Sequence, residues 1–316
     1  MNAPRTRVQR RPVHGVLLLD KPLGLSSNDA LQKAKWLLRA EKAGHTGTLD
    51  PMATGVLPLC FGAATKFSQI HLDADKTYEA IAQLGQKTST GDSEGEVIQT
   101  RHVPHLTDRH VAEMQVLFTG PLAQVPPMHS ALKKDGRALY EYARAGEEVE
   151  RPARDIVVHA LELSLLPGDQ LRIVAKVSKG TYIRTLGEDI GEALGCGAHL
   201  VALRRIATGP FDVAQCVTLR ELEALDEPQR AARLLPVEAL LQGHERVTLG
   251  MEDAGRFLSG LRRRGSWPNA PQVAAFGPDG QLLGTAHIQA GELIPTRLLS
   301  PIEIKQMSGS TEPVPV

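Results

Sequence analysis

The chain has 316 residues, of which 42% are hydrophobic and 23% charged, a composition typical of a globular protein with one large or two medium domains. Its 36 basic and 36 acidic side chains cancel, so the net charge alone does not indicate a nucleic-acid partner. No apolar stretch approaches the roughly 20 residues that cross a bilayer, the N-terminus lacks the apolar segment of a secretory signal, and the three cysteines lack CxxC spacing. We therefore expect a cytoplasmic protein without a metal and without a membrane partner.

The net charge of zero conceals local basic segments. Residues 1–12 carry four arginines and no acid, the stretch from Arg172 to Arg184 is also free of acids, and 204–205 and 262–264 are runs of arginine. Such segregation is compatible with a surface that follows phosphates, although charge alone favours an ordinary solvated surface. We expect residues 1–12 to form a disordered basic arm.

The first half of the chain alternates strand and helix patterns around a glycine-rich loop. The segment from Gly15 to Leu19 has the pattern of a buried strand, and Ser26 or Ser27 can cap the helix that follows. Thr107 can cap a later helix in the same way. Beyond the loop, the sequence predicts a strand over 55–62, a helix over 64–72, a strand over 77–85, a polar turn over 86–95 and a helix over 108–118.

The second half of the chain contains a long hairpin and a separate β-rich end. The segments 155–166 and 171–179 predict strands joined by the turn at Pro167-Gly168-Asp169. A helix from about Arg137, another over 181–195, a final strand over 199–209 and a helical connector over 221–243 complete a large domain of residues 13–245. Short strands follow from Arg246, with a hairpin around 278–280, and predict a small domain of residues 246–305 before a flexible tail of residues 306–316. Hairpins with helices between them predict an α+β fold.

The segment GHTGTLDP, residues 44–51, has almost no apolar mass and ends in the carboxylate of Asp50. Asp at an N-cap followed by Pro is a common helix start. Gly55 and Pro58, however, would stop such a helix within eight residues. Glycines let backbone approach a ligand closely, and a carboxylate on a loop suits a nucleophile or a general base. We therefore take Asp50 as a candidate catalytic residue.

A second polar cluster, SKGTYIR, covers residues 178–184, where a strand passes into a helix. Arg184 could form a surface ion pair with Glu188, four residues on. Alternatively it holds Asp50 with its guanidinium fork, which would lower the pKa of that carboxyl. Tyr78 is a core or hairpin residue by default, but in a chain with 4% aromatics it is also a candidate for stacking on a base or relaying a proton.

Other chemistries leave fewer traces in the sequence. The phosphate-binding motif GxxxxGK[ST] and the zinc deaminase motifs are absent. No second His or Cys stands at metal-ligand spacing from His45 and Asp50. A glycosidase with two carboxylates stays open, because Asp50 could pair with Asp20, Asp92 or another acid.

Several long motifs, in the same order, resemble those of the bacterial tRNA pseudouridine-55 synthases of the TruB type. They lie between residues 14 and 210 and read LLLDKPLGLSSNDAL, GHTGTLDPMATGVLPL, TKFSQ with DKTYEA, QLGQKTSTGDSEG, SALKKDGRALYEYARAG, and SKGTYIRTLGEDIGEALG with CGAHLVALRR. The last domain resembles the family's PUA-like RNA-binding domain only in position and in strand-turn character. The resemblance implies a mixed, largely antiparallel central sheet flanked by helices, plus this small β-rich domain.

The resemblance also implies roles for residues that match the family's motifs. Asp50 stands at the nucleophile, Arg184 at its arginine partner and Tyr78 at the tyrosine that stacks on the uracil. His129 departs from the pattern, since relatives often carry a tyrosine there. Three further matches concern the substrate. His45 stands at the histidine that enters the space vacated by the flipped nucleotide, and Tyr182 and Leu203 stand at substrate-lining positions.

The implied reaction is isomerisation of uridine 55 in the T-loop of tRNA, by base flipping and covalent catalysis. It involves neither redox change nor hydrolysis and so requires no cofactor, and the implied state is a monomer bound to the T-arm. Two rivals remain: a non-catalytic RNA-binding or tRNA-folding protein on the same scaffold, and a nucleoside hydrolase. Asp50, Tyr78 and Arg184 together argue against the first, and release of free uracil would reveal the second.

Overall fold

The structure, a computed structural model, describes residues 9–308 of the chain. Strands are the most frequent regular element of the large domain. They are β1 (Gly15–Lys21), β2 (Ala43–His45), β3 (Ala53–Phe61), β4 (Lys76–Leu84), β5 (Gln86–Thr88), β6 (Val97–Thr100), β7 (Gly120–Gln124), β8 (Lys133–Lys134), β9 (Arg137–Ala138), β10 (Arg154–Leu166), β11 (Gln170–Val177), β12 (Ala198–Thr208), β13 (Phe211–Asp212) and β14 (Val217–Thr218).

Helices cover this sheet and connect its strands. They are α1 (Ser27–Leu37), α2 (Ser68–Leu72), α3 (Asp108–Leu117), α4 (Leu139–Arg144), α5 (Ile183–Ala193), α6 (Leu219–Ala224) and α7 (Glu227–Ala231), with 3₁₀ turns at Gly62–Lys66, Val213–Gln215 and Val237–Leu241. As predicted, Ser26 is the N-cap of α1 and accepts a hydrogen bond from Asp29 N, and Thr107 is the N-cap of α3. The predicted polar turn after β4 contains the small hairpin β5–β6.

The central sheet has ten strands, in the order β14-β1-β3-β12-β4-β11-β10-β7, with β2 beside β3 and β13 beside β12. The β1–β14 and β3–β12 pairs are parallel, and the other pairs are antiparallel. The predicted α+β class, with a mixed and largely antiparallel sheet, is confirmed. The strand at 199–209 is not the last of the domain, because the short β13 and β14 follow it.

The first strand shows how this sheet divides the interior into two cores. Leu17 and Leu19 lie in the core that α1 and α5 cover. Val16 and Leu18, which point the opposite way because side chains alternate along a strand, lie in a second core. This alternation explains why β1 reads as a continuous apolar run: both of its faces are buried.

The end of the chain folds into a second sheet. Its elements are β15 (Glu245–Thr248), α8 (Met251–Leu258), β16 (Arg263–Arg264), β17 (Ala270–Phe276), β18 (Leu282–Gln289), β19 (Glu292–Leu298) and α9 (Pro301–Met307). The order is β15-β17-β18-β19-β16, and β17–β18 is the predicted hairpin. The prediction of strands directly after Arg246 missed α8, whose buried Ala254 and Phe257 lie three residues apart, as one face of a helix requires.

The second sheet packs against the back of the first through the second core. Phe276 and Leu282 of the end domain lie in one cluster with Val16, Leu18 and other residues of the large domain. This shared apolar core fixes the end domain to the side of the sheet that faces away from the GHTGTLDP loop.

Two ordered segments occur where arm and tail are predicted. Arg11 N donates to Arg39 O, and Arg10 Nη1 donates to Ala40 O at 2.9 Å, so these two arginines belong to the folded domain rather than to a disordered arm. Residues 306 and 307, placed in the tail by the prediction, complete α9, which Lys66 holds through its ion pair with Glu303. Residues 1–8 and 309–316 lie outside the described residues.

Candidate active site

The GHTGTLDP loop holds Asp50 between two anchored neighbours. Leu49 N donates to the buried Ser27 hydroxyl at 2.7 Å, and that hydroxyl donates back to Leu49 O. Lys21 Nζ lies 3.4 Å from Pro51 O. No helix begins at Asp50; a turn at 51–52 leads into β3 instead. The backbone on both sides of the carboxylate is therefore fixed by side chains from β1 and α1.

A glycine lets the strands beneath this loop come together. Gly55 has a φ of +102°, and a Cβ at this position would lie 2.1 Å from Arg205 O. Only glycine permits this approach. It sets Arg205 on β12 beside β3 in parallel register, and thereby places the pocket-facing residues of β12 beneath the loop.

Arg184, in the first turn of α5, reaches Asp50 from below. Its Nη2 lies 3.0 Å from Asp50 Oδ2, and its Nη1 lies 3.5 Å from Asp92 Oδ2. Nη1 also donates to Thr90 O and Nη2 to His129 O, at 2.9 and 2.8 Å. The Arg184 side chain is 4% exposed, whereas that of Asp50 is 38% exposed. A buried guanidinium, hydrogen-bonded through both of its Nη groups, thus holds one oxygen of an accessible carboxylate, instead of forming a surface pair with Glu188.

Burial, more than the arginine, determines the pKa of Asp50. Burial raises the pKa of Asp50, and the Asp92 carboxylate raises it further, while Arg184 and Lys21 lower it. Arg184 therefore lowers the pKa of Asp50, as expected, but the pKa still lies above its ordinary value in total. The protein surrounding the carboxylate desolvates it, and this outweighs the nearby positive charges.

A pocket of about 600 Å³ brings five of the six predicted site residues together. Its lining includes Asp50, Tyr78, Tyr182, Arg184 and Leu203. β4 supplies the first tyrosine, β12 supplies the leucine, and the segment before α5 supplies the second tyrosine. Neighbouring strands of one sheet therefore form the floor of the pocket, and the loop with Asp50 forms one wall.

Two contacts position the tyrosine at 182. Gln124, at the end of β7, accepts a hydrogen bond from Tyr182 N at 2.8 Å and donates to Tyr182 O at 3.1 Å. Burial raises the pKa of the Tyr182 phenol, which keeps it protonated near neutral pH.

His45 is the one predicted site residue that does not line this pocket. It lines an adjoining cavity of about 390 Å³, which shares Asp50 and Arg184 with the first. His45 Nδ1 has no hydrogen-bond partner among residues 9–308. Burial, followed by the Arg205 charge, lowers its pKa, so the imidazole is neutral near pH 7.

Two charged residues near Asp50 are absent from the set that the family resemblance implied, although Asp92 was named as a possible second carboxylate of a glycosidase. Asp92 is 2% exposed, and its Oδ1 accepts from Thr90 Oγ1 and Glu94 N while its Oδ2 faces Arg184. Lys21 is fully buried, and burial lowers its pKa to about 8. The sequence signal for Asp92 is its place in the polar turn TSTGDSEG, and Lys21 directly precedes a strand-ending proline.

Asp20, one of the two acids named for a glycosidase, is not near Asp50. Asp20 points to the opposite face of the sheet, where Arg204 binds both of its oxygens, at 2.7 and 3.1 Å. Asp92 and Asp50 both contact the Arg184 guanidinium, Asp50 at 3.0 Å and Asp92 at 3.5 Å.

Within residues 9–308, no group of three or more His, Cys, Asp or Glu side chains could hold a metal ion. Over the same range, no helix is long and apolar enough to cross a membrane.

Comparisons with known proteins place this site in a family context. Residues 35–183 match the TruB family pseudouridylate synthase N-terminal domain, and residues 184–242 match the tRNA pseudouridylate synthase B C-terminal domain. The chain is 64% identical over 315 residues to tRNA pseudouridine synthase B of Verminephrobacter eiseniae, with 98% of this chain and 95% of the relative covered. It is 58% identical over 307 residues to the protein of that name from Cupriavidus pinatubonensis, with 93% and 96% covered.

Solved structures share the fold at lower identity. A Cbf5–Nop10–Gar1 complex contains a chain that matches with a TM-score of 0.68 and 25% identity, covering 91% of this chain and 84% of that one. An archaeal box H/ACA Nop10–Cbf5 complex also matches with a TM-score of 0.68, at 23% identity, covering 95% of this chain and 90% of that one. These similarities confirm the predicted pseudouridine synthase fold.

Proposed function

The chain belongs to the TruB family of pseudouridylate synthases, which are isomerases, and we propose that it converts uridine 55 in the T-loop of tRNA to pseudouridine. Relatives that are 64% and 58% identical to it carry the name tRNA pseudouridine synthase B. The observation that carries the proposal is the state of Asp50. One oxygen, Oδ2, is held by the buried Arg184, while Oδ1 has no hydrogen-bond partner among residues 9–308. A carboxylate fixed by one oxygen and free at the other suits a nucleophile.

The target uridine must leave the folded loop to reach this carboxylate. Extrusion costs a few kcal/mol of lost stacking, and contacts to splayed-out bases offset it. The pocket of about 600 Å³ accommodates a nucleoside. Tyr78 offers its ring for stacking on the uracil, and Leu203, which is 8% exposed, forms an apolar floor. We propose that His45, which is neutral and whose Nδ1 has no hydrogen-bond partner within residues 9–308, enters the space that the nucleotide leaves.

Asp50 then carries the covalent chemistry. One of its oxygens bonds to the nucleoside, the bond from ribose C1′ to uracil N1 breaks, and the released uracil turns so that its C5 bonds to C1′. The C5 proton leaves, with Tyr78 as its base or relay, and the bond to Asp50 opens. Atoms and electrons balance without a cofactor, because substrate and product are isomers. Arg184 keeps Asp50 oriented throughout, since its other hydrogen bonds fix the guanidinium.

The end domain is proposed to bind RNA as a PUA-like domain over residues 246–305. Its separate five-stranded sheet follows the catalytic domain of residues 13–245. Its exposed Arg297, near the end of β19, is available to a phosphate. We propose a monomer that binds the T-arm of tRNA through both domains.

The test is tritium release from tRNA labelled at uridine C5, with the native protein and Asp50→Asn compared. Release by the native protein alone, with the label lost from the T-loop and no free uracil, supports the proposal. Free uracil together with abasic RNA would identify a nucleoside hydrolase. Tight tRNA binding without release from either protein would identify an RNA-binding or RNA-folding protein instead.

A further inference from the structure

One corner of the active-site pocket, away from Arg184, contains two buried cations: Lys76 at the start of β4 and Arg205 on β12. We call it the cationic corner. Lys76 is 8% exposed and Arg205 is 1% exposed, and both line the pocket that contains Asp50. In the β4–β12 register Arg205 lies opposite Tyr78, two residues from Lys76, so the three side chains share one face of the sheet.

Lys76 has only backbone partners. Its Nζ donates to Leu72 O and Ala74 O, each at 2.6 Å, and no carboxylate of residues 9–308 forms an ion pair with it. The nearest acids are engaged elsewhere: Asp73 accepts from a lysine and Asp75 pairs with a histidine. Carbonyl oxygens orient an ammonium group but do not neutralise its charge, and Asp73 and Asp75 act on it without direct contact.

Arg205 is in the same situation. Its Nε donates to Val56 O at 2.7 Å, and its Nη2 lies 3.5 Å from Gly47 O, at the long limit of a hydrogen bond. Among residues 9–308 no carboxylate pairs with it. Gly47 keeps the space beside the guanidinium open, because a Cβ there would lie 3.7 Å from Nη1.

Two unpaired buried cations facing one cavity require an explanation. Buried charges are normally paired, since removing an ion from water is costly. Burial, followed by the Arg205 charge, lowers the pKa of Lys76 to about 8, although Asp73 and Asp75 act in the opposite direction. An anion bound between them would remove both penalties.

We propose that Lys76 and Arg205 bind the backbone phosphate of the extruded uridine. The inference rests on the proposed function, and it names the part of the target nucleotide that this corner holds. A phosphate is the one charged group that such a nucleotide brings into the pocket. Arg offers a fork of N–H donors that fits phosphate, and Lys adds a point charge. Fixing the phosphate would set the ribose at a defined distance from Asp50.

The experiment is a double-mutant cycle across protein and RNA. T-arm stem-loops are prepared with a neutral methylphosphonate at the phosphate 5′ or 3′ of the target uridine, and kcat/KM is measured with native protein and Lys76→Met. At one of the two positions, we expect the methylphosphonate to lower native kcat/KM by roughly tenfold to a hundredfold, the scale of a hydrogen bond to a charged group. Lys76→Met should lower kcat/KM on unmodified RNA by a similar factor. When Lys76→Met acts on the methylphosphonate RNA, the total loss in kcat/KM should be far smaller than the product of the two single losses.

Lys176→Met is the matched control. Lys176 lies on the neighbouring strand, opposite Thr77, but is exposed on the other face. Its effect should multiply with that of the methylphosphonate without coupling. Because the RNA substitution leaves the protein unchanged, the native arm remains readable even if a variant folds poorly.

The outcomes separate this inference from the proposed function. Normal turnover of unmodified RNA with uncoupled losses at both phosphates, or coupling only at a stem phosphate, overturns the phosphate assignment alone. Absence of pseudouridine from native protein and unmodified RNA refutes the proposed function itself. Coupling at one flanking phosphate, absent in Lys176→Met, establishes the cationic corner as the phosphate site.

Discussion

Two aspartate–arginine pairs lie on opposite faces of the central sheet, and they are built in opposite ways. Arg204 holds both oxygens of Asp20, at 2.7 and 3.1 Å, and its side chain is 38% exposed against 21% for the carboxylate. Arg184 holds one oxygen of Asp50 at 3.0 Å, and there the arginine is 4% exposed and the carboxylate 38%. Both oxygens of Asp20 are therefore bound by arginine, whereas Asp50 keeps Oδ1 without a hydrogen-bond partner among residues 9–308.

The difference teaches how one pair of residue types serves both structure and chemistry. In the Asp20 pair the arginine contacts no second carboxylate. Its two Nη groups bind both oxygens of Asp20, and such a bidentate pair is among the strongest hydrogen-bonded geometries. In the Asp50 pair the Nη groups of Arg184 also bind backbone carbonyls and Asp92. The guanidinium is therefore held in place before substrate arrives. A rigid cation beside a half-free carboxylate is a preorganised site.

The largest expected effect is that of Asp50→Asn. Turnover should be abolished, because an amide cannot form the covalent bond, while tRNA affinity should stay within about tenfold if binding is dominated by phosphate contacts elsewhere. Single-turnover pseudouridine formation and equilibrium tRNA binding measure the two quantities. Comparable loss of both would mean that Asp50 is structural, like Asp20.

Arg184→Lys tests the rigid half of the pair. A point charge loses the fork geometry, and we expect kcat to fall by about a hundredfold, the scale of one lost preorganised donor. Arg184 lowers the pKa of Asp50 against the effect of burial, so weakening it should raise that pKa further. Activity needs the ionised carboxylate, and its acidic limb should therefore move to higher pH. A pH–rate profile that stays in place would contradict the pairing.

Asp92→Asn should move the same limb in the opposite direction. The Asp92 carboxylate raises the pKa of Asp50, so its neutralisation should lower that pKa and shift the acidic limb to lower pH. The kcat at neutral pH should fall by about tenfold, because Arg184 loses one charge-assisted contact. The asparagine oxygen can still accept from Glu94 N, which preserves the turn. If both variants move the limb the same way, the proposed division of roles is wrong.

The sequence predicted the parts of the site that depend on local pattern. Asp50 was recognisable because its glycine-rich loop cannot continue as a helix, and Arg184 because its cluster ends a strand. The pKa direction of Asp50 was not predictable, since desolvation depends on everything that packs around the loop. Arg205 illustrates a second limit: in sequence it belongs to a basic run of ordinary surface type, yet it is 1% exposed. Only the register of β12 against β3 and β4 buries it.

The smallest expected effect is that of Asp20→Asn, which tests the other pair. Arg204 keeps one acceptor and Thr54 Oγ1, and both members of the pair are partly exposed. We expect the free energy of unfolding to fall by about 0.5–1 kcal/mol, as for a partly screened ion pair, with kcat unchanged. Denaturant unfolding and steady-state kinetics measure these quantities. A loss of turnover approaching that of Asp50→Asn would show that the two faces of the sheet are coupled. In that case, whether one or both carboxylate oxygens are bound by arginine would not separate a catalytic aspartate from a structural one.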